Sequence, residues 1–138
     1  MVQHSSLQIG DIARADFRTS AILDAENTRL QKAFGFQFRY SPARLAIAMS
    51  LSDESFPPSV SELNGKPIRG DTLFGQDEVD LAAWASMIVE HSGEESISRR
   101  RFQELVGAHW ARGLNRLYEI TQGLESNIEV LVETLLSK

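Results

Sequence analysis

The apolar residues of this chain recur at helical spacing in several separate segments. The first such segment begins at Ala21, follows the capping residues Thr19 and Ser20, and runs to Gly35. A serine or threonine cap favours the start of a helix, and glycine favours its end. The pattern therefore predicts a first amphipathic helix between Ala21 and Gly35.

The segment Ser41–Leu51 has the clearest local signal. Ser41 is a suitable N-cap, Pro42 then occupies the first helical position, and apolar residues cover nearly all sides of the segment. We expect a short helix that the rest of the fold covers. Arg44 is its one charge and lies in the first turn, where the helix dipole disfavours a cation. We expect Arg44 either to reach solvent or an acidic side chain, or to bind a phosphate.

Three further helical segments follow. Asp77 caps a third helix, which Gly93 ends, and Ser96 or Ser98 begins a fourth. An apolar stripe continues past Gly123, which predicts either a fifth helix or an extension of the fourth. The fourth helix also contains internal glycines, which predict close helix packing or a kink.

The connections between these helices differ in character. Residues 1–16 lack a sustained period, so we predict an arm that is ordered only where it docks. Aromatic residues alternate through 34–40, either filling the core, which we prefer, or facing a partner. Residues 52–75 are rich in turn formers but carry regularly placed apolar residues, which predicts an ordered excursion. Within it, 70–75 is expected to be a turn.

Length and composition restrict the fold and the function. The 138 residues fit one domain, the absence of cysteine excludes disulfides and thiolate sites, and the net charge is −5. An acidic chain binds nucleic acid poorly unless cations gather locally. No apolar run is long enough to span a membrane, and no basic start precedes an apolar core as in a secretory signal. We therefore expect an all-α, single-domain helical bundle in the cytoplasm.

Residues with catalytic chemistry are few. The histidines His4, His91 and His109 show no metal-ligand spacing, and no phosphate-cradling loop or nucleophile elbow occurs. We expect no catalytic residues, no metal and no cofactor.

Arginines are unevenly distributed. Arg99, Arg100 and Arg101 open the fourth helix, and Arg112 and Arg116 lie one turn apart further along it. Cations in a first turn oppose the helix dipole unless anions approach, and arginine forks match phosphate geometry. The choice stays open between an internally paired, solvated surface and a phosphate-binding one.

The last helical segment has an acidic side. Glu125, Glu129 and Glu133 are four residues apart and repel each other mildly. An exposed acidic face is the preferred interpretation, and a surface for a basic partner is the alternative.

Three motifs together resemble one family. They are S-P-A-R-L-A-I-A-M-S-L (41–51), G-K-P-I-R-G-D-T-L-F-G (65–75) and H-W-A-R-G-L-N-R-L (109–117), and in this order they resemble the DNA sulfur modification protein DndE. The resemblance covers about residues 19–118. It implies a small, mostly helical accessory protein without its own catalysis, which works with a cysteine desulfurase, a sulfur-transferring enzyme and an ATPase. It also implies binding of nicked double-stranded DNA and self-assembly, in some cases to tetramers.

The resemblance also divides the chain and selects residues. It suggests an N-terminal arm (1–18) and a DndE-like helical domain (19–138), whose first part resembles the ribbon-helix-helix topology. Arg44, Lys66, Arg69, Arg112 and Arg116 fall in the family motifs. Together with the arginines at the start of the fourth helix, the candidate DNA-binding residues are Arg44, Lys66, Arg69, Arg99, Arg100, Arg101, Arg112 and Arg116.

We therefore expect electrostatic binding to the DNA backbone at a nick, without base readout. The alternative is a non-catalytic adaptor that binds a protein of the modification complex and makes no DNA contact. An unrecognised hydrolase is a remote third possibility.

Overall fold

The helices Tyr40–Leu51 and Arg99–Thr121 form the centre of the fold. The computed structural model describes residues 7–124 and 126–137, so His4 and Glu125 lie outside the described residues. Within this part, the chain forms seven helices and one two-stranded antiparallel ribbon. The elements are α1 (Ile9–Arg14), β1 (Asp16–Phe17), α2 (Ala21–Phe34), α3 (Tyr40–Leu51), β2 (Ile68–Arg69), α4 (Gly70–Leu73), α5 (Glu78–Ser92), α6 (Arg99–Thr121) and α7 (Ile128–Leu136).

The ends of the helices follow local chemistry. The side chains of Ser20, Asp77 and Ser98 each accept a hydrogen bond from a backbone N–H in the first turn of α2, α5 and α6. Gly35 and Gly93 end α2 and α5 in the left-handed conformation. These boundaries were predictable because each depends on a single residue and its nearest neighbours. The prediction of a mostly helical single domain is confirmed.

Helices α3 and α6 make the most extensive contact between elements. At their closest approach, Gly113 lies against the backbone of Ala46, and a Cβ atom at position 113 would be 1.8 Å from the carbonyl oxygen of Ala46. Gly107 lies close to the carbonyl oxygen of Arg18 in the same way. The predicted close helix packing is therefore confirmed for Gly113, whereas Gly107 packs against residues outside the helices.

A buried polar pair joins α2 to α6. Trp110 is fully buried, and its indole Nε1 donates a hydrogen bond of 3.1 Å to Oδ1 of Asn27. The amide of Asn27 in turn donates to the carbonyl oxygen of Arg39. Because a buried indole N–H needs a partner, this contact fixes how α2 lies on α6.

The predicted N-cap of α3, Ser41, is wrong by two residues. The helix begins at Tyr40, and Arg39 precedes it in a helical conformation without a side-chain cap, so Ser41 is inside the first turn. The guanidinium of Arg39 binds Asp24 and the carbonyl oxygens of residues 66 and 67. These tertiary contacts hold the chain in place where a local cap was expected.

The excursion over residues 52–75 is ordered, as predicted. Its backbone is attached to the start of α2, since the N–H of Gly65 donates to the carbonyl oxygen of Thr19 at 2.8 Å and the Asn64 side chain accepts from the N–H of Ala21 at 2.8 Å. Its apolar residues Ile68 and Phe74 are buried. The turn predicted over 70–75 begins instead with the short helix α4, which packs against α1 and α3.

The described part of the predicted N-terminal arm is packed into the domain. Ile12 and Phe17 are buried in the core, and β1 pairs with β2 so that Asp16 lies opposite Arg69. β1, α2 and α3 follow one another in the strand–helix–helix order of the ribbon-helix-helix topology. The strand that pairs with β1 is β2 of the same chain. Residues 9–18 therefore belong to the helical domain, because their apolar side chains complete its core.

The aromatic connection after α2 is split between core and surface. Phe34 is buried, and Phe36 and Tyr40 are partly buried against the core. Phe38 is 46% exposed and stacks on Tyr40 with a centroid distance of 5.1 Å. The core interpretation is therefore confirmed for Phe34 and wrong for Phe38.

No helix in the described ranges has the length and apolarity needed to cross a membrane.

Candidate nucleic-acid interface

Arg112 lies at the centre of an internal network. Its guanidinium donates to the hydroxyl and the carbonyl oxygen of Ser50, each at 2.7 Å, and to the carbonyl oxygen of Ser55 at 2.8 Å. Its side chain is only 9% exposed, and burial lowers the pKa of the guanidinium. Arg112 therefore holds residues 50–55 against α6 and has little surface left for DNA.

Arg116, one helical turn after Arg112, also binds the segment 50–55. It forms an ion pair with the carboxylate of Asp53, and this hydrogen bond, followed by those from Ser55, holds the pKa of Asp53 well below its usual range. The guanidinium of Arg116 is 37% exposed. Part of the hydrogen-bonding capacity of Arg116 is therefore used within the fold, so Arg116 is not fully available to bind a phosphate.

Two histidines complete this network. Nδ1 of His109 lies 2.8 Å from the hydroxyl of Ser50, and Nε2 of His91 donates to the carbonyl oxygen of Asp53 at 2.6 Å. The two rings meet edge to face at 4.7 Å. Burial, then the neighbouring His91 and Arg112, lowers the pKa of His109 to about 4. Ser50 and His109 are both fully buried, so this serine–histidine contact is not open to a substrate.

Replacement of Arg112 tests its internal role. We expect Arg112→Ala to lower the free energy of unfolding by about 2 kcal/mol, because it leaves the buried hydroxyl and carbonyl oxygen of Ser50 without their arginine donor and removes the contact with the exposed Ser55. Urea denaturation measures this loss. Arg99→Ala on the same helix is the control and should change the stability by less than about 0.5 kcal/mol, because Arg99 is exposed. Equal stability of the two variants would contradict the assigned role.

Arg44 is also occupied within the fold. Its guanidinium donates to the carbonyl oxygens of Leu73 and Thr72 and lies 4.2 Å from the centroid of the Tyr40 ring. Carbonyl oxygens at the end of α4 therefore provide the negative partner that the sequence pattern required. These contacts explain the position of the Arg44 side chain. They correspond to neither of the predicted environments, which were solvent or an acidic side chain in one case and a phosphate in the other.

The arginines at the start of α6 divide into paired and open residues. Arg101 binds the carboxylate of Glu94 at 2.7 Å and that of Glu104 at 3.2 Å, and the hydrogen bond to Glu94 is the main cause of its raised pKa. Arg100 is 90% exposed, with Glu104 at 3.9 Å. Arg99 is exposed and forms no ion pair among the described residues. The paired interpretation therefore holds for Arg101, whereas Arg99 and Arg100 are exposed, and phosphate binding by them stays a prediction.

A groove of about 520 Å³ lies beside this helix start. Its walls are the first turns of α6, the end of β1 and the extended segment 56–63. The residues that give it polar or aromatic character are Asp16, Arg18, Phe56, Arg100, Arg101 and Glu104. Phe56 is 48% exposed at this groove, and the guanidinium of Arg101 lies 5.7 Å from its ring centroid.

The remaining candidate cations are Lys66 and Arg69, and neither of them lines the groove. Arg18 lines the groove and donates to the carbonyl oxygen of Gly65 at 2.9 Å, and Lys66, the next residue, is exposed. Arg69 lies opposite Asp16 in the ribbon, and its side chain is 54% exposed with Asp71 at 3.3 Å. Both cations are therefore linked to the groove through the neighbouring residues Gly65 and Asp16.

Arg18 and Phe56 were not among the sequence candidates. Arg18 follows the buried Phe17 directly, so strand alternation was the one signal that it faces outwards. Phe56 lies in a proline-rich segment where its sequence neighbours give no indication of exposure. Its position depends on the contact of residues 56–63 with α6.

Comparison with known proteins identifies no family for this chain. No family model matches the chain. No curated protein matches it either. In the described part of the chain, histidine and acidic side chains form no group of three or more that is suited to a metal ion.

Proposed function

We propose that this chain is a DndE-like accessory protein of DNA phosphorothioate modification that binds the backbone of double-stranded DNA at nicks. The observation that carries the proposal is the open cationic rim of the groove, formed by Arg100 and Arg18 with Arg99 beside it. Two further exposed cations lie on the ribbon side: Arg69 is paired in the ribbon with the groove residue Asp16, and Lys66 follows Gly65, which Arg18 binds. We call these five residues the open cations. All five are exposed, and their positive charge is available to phosphates, although Arg18, Arg69 and Arg100 also contact Gly65, Asp71 and Glu104.

The groove suits a break in a duplex better than a continuous duplex. A nick lowers the cost of bending DNA, so a phosphate beside the break is able to turn towards a narrow groove. Phe56 offers an exposed ring on which an unstacked base or a sugar packs. Asp16 and Glu104 also line the groove, and their negative charge weakens its nonspecific attraction for DNA. This agrees with an acidic chain that binds DNA selectively at a nick.

The wider role follows from the motif resemblance. In this proposal, the chain presents nicked DNA to a cysteine desulfurase, a sulfur-transferring enzyme and an ATPase, and itself performs no catalysis. Assembly to a tetramer would place several copies of the open cations on one particle. Weak patches then bind by avidity, which compensates for the net charge of −5.

Titration of nicked and intact duplexes of one sequence tests the proposal. We expect tighter binding to the nicked duplex, with an affinity that falls steeply as salt rises. Arg99→Ala/Arg100→Ala should weaken binding about tenfold and lower the salt slope by about 2, because each phosphate contact adds about 1. Fluorescence anisotropy at several salt concentrations measures both quantities.

The matched control is Lys32→Ala, which removes an exposed cation of α2 outside the groove. Its affinity and salt slope should equal those of the wild type. Equal binding by the double variant would reject the open cations as the DNA contact. Absence of binding to either duplex at low salt would reject DNA binding and favour the adaptor function.

A further inference from the structure

Helix α7 exposes an apolar stripe that the fold leaves uncovered. Ile128, Val132 and Leu136 are 44%, 45% and 81% exposed, although they are four residues apart and lie on one side of the helix. We call these three residues the α7 stripe. At 1.5 Å per residue it is about 12 Å long. Leu131 is fully buried and Leu135 is packed against the core, so they attach the opposite edge of the apolar face.

Both charged residues of α7 are negative. Glu129 and Glu133 are exposed on the side of the helix next to the stripe, and α7 itself contains no lysine or arginine. The last turn has no basic residue to offset the partial negative charge of the helix C-terminus. An occupant with positive charges beside its apolar residues therefore fits this surface.

From this complementarity we infer that the α7 stripe docks a basic amphipathic helix of a partner protein. Apolar side chains of the partner at i and i+4 cover Val132 and Leu136, and its lysines or arginines lie beside Glu129 and Glu133. This surface is separate from the groove at the start of α6. The inference therefore holds whether or not the groove binds DNA.

A second copy of the chain fits this surface less well. Two α7 helices packed through the same stripe would bring Glu129 and Glu133 close to their own equivalents, and like charges repel. Charge therefore favours a single basic helix over self-association.

Binding of two synthetic helical peptides to the full chain tests the inference. The first peptide has leucine on one face and lysine on the other, and the second has glutamate in place of lysine. We expect the leucine–lysine peptide to bind with micromolar affinity in fluorescence anisotropy and the leucine–glutamate peptide to bind at least tenfold more weakly. Equal binding of the two peptides, or binding of neither, would overturn the inference.

Substitutions in the chain locate the binding surface. Val132→Ser/Leu136→Ser should weaken binding of the leucine–lysine peptide at least tenfold. Ile22→Ser/Val79→Ser is the matched control, because these side chains are 84% and 73% exposed on other helices, and it should bind as the wild type does. Equal weakening by both double variants would overturn the assignment to α7.

A third variant separates docking from the integrity of α7. Glu129→Gln/Glu133→Gln leaves every apolar contact in place and should reduce both the affinity for the leucine–lysine peptide and its salt dependence. Unchanged salt dependence would contradict the proposed charge pairing. Sedimentation of the wild type provides the last check, since a dimer that Val132→Ser/Leu136→Ser abolishes would assign the stripe to a second copy.

Discussion

Gly113→Ala is expected to lower the free energy of unfolding by about 3 kcal/mol, the largest loss from any single methyl group added to α6. The added Cβ would lie 1.8 Å from the carbonyl oxygen and 2.2 Å from the carbonyl carbon of Ala46. Both atoms belong to the backbone of α3, so no side-chain rotation relieves the overlap and the two helices must separate. Alanine favours a helix over glycine by about 1 kcal/mol, which is too little to offset the separation. Urea denaturation followed by circular dichroism measures the difference.

Two variants distinguish this overlap from other causes. Gly10→Ala in α1 adds the same methyl group, but its nearest neighbours are the terminal nitrogens of Arg14, which move freely, so we expect nearly unchanged stability. Ala46→Gly should fail to restore the stability of Gly113→Ala, because it removes a side chain and leaves the backbone in place. Rescue by Ala46→Gly would show that the two helices meet through side chains.

Sequence reasoning succeeded where one residue decides the structure. The caps at Ser20 and Asp77 and the terminating Gly35 act within a single turn, so they could be identified without knowledge of the fold. The start of α3 could not, because Arg39 is held by Asp24 and by the excursion that follows α3. Helix α1 was missed for a related reason, since its six residues show too little periodicity and are stabilised by packing on α4 and α5.

The candidate site was only partly predictable. Runs of arginine indicate where positive charge occurs in the sequence, but whether a guanidinium is available depends on acceptors that lie far away. Arg112 binds Ser50 and Ser55, more than fifty residues earlier, and Arg44 binds carbonyl oxygens of the later helix α4. Arg101 is neutralised by Glu94, which the turn before α6 brings close. The open cations are therefore the cations that stay exposed in the fold, although Arg18 and Arg69 also make contacts within it.

Acidification is expected to lower the stability of this protein through His109. Its pKa is about 4 in the folded chain and near 6.5 in the unfolded chain. Between these values the unfolded chain binds a proton that the folded chain does not, so the free energy of unfolding falls as the pH falls. The loss is about 1.5 kcal/mol between pH 6.5 and pH 5, because the slope is about half of 1.36 kcal/mol per pH unit at pH 6.5 and approaches that value at lower pH. Urea denaturation across this range measures the slope.

The chosen pH range isolates the histidine from the paired carboxylates. Asp53 and Glu94 have lowered pKa values, so their contributions are lost only as the pH falls below the ordinary carboxyl range, near 4. His109→Asn should lower the stability at pH 7, because it disturbs the contact with Ser50, and should flatten the slope between pH 6.5 and pH 5. An unchanged slope in this variant would exclude His109 as the cause.

A nuclear magnetic resonance titration of the wild type gives an answer even where His109→Asn folds poorly. The ring protons of His109 should shift with a midpoint near pH 4, because burial, His91 and the guanidinium of Arg112 all oppose a charged imidazole. Charging His109 places a cation beside Arg112, the residue that holds residues 50–55 against α6. The same protonation should therefore loosen the segment that precedes the groove wall at 56–63. A midpoint near 6.5 would show that the imidazole is reached by water and would contradict the buried network.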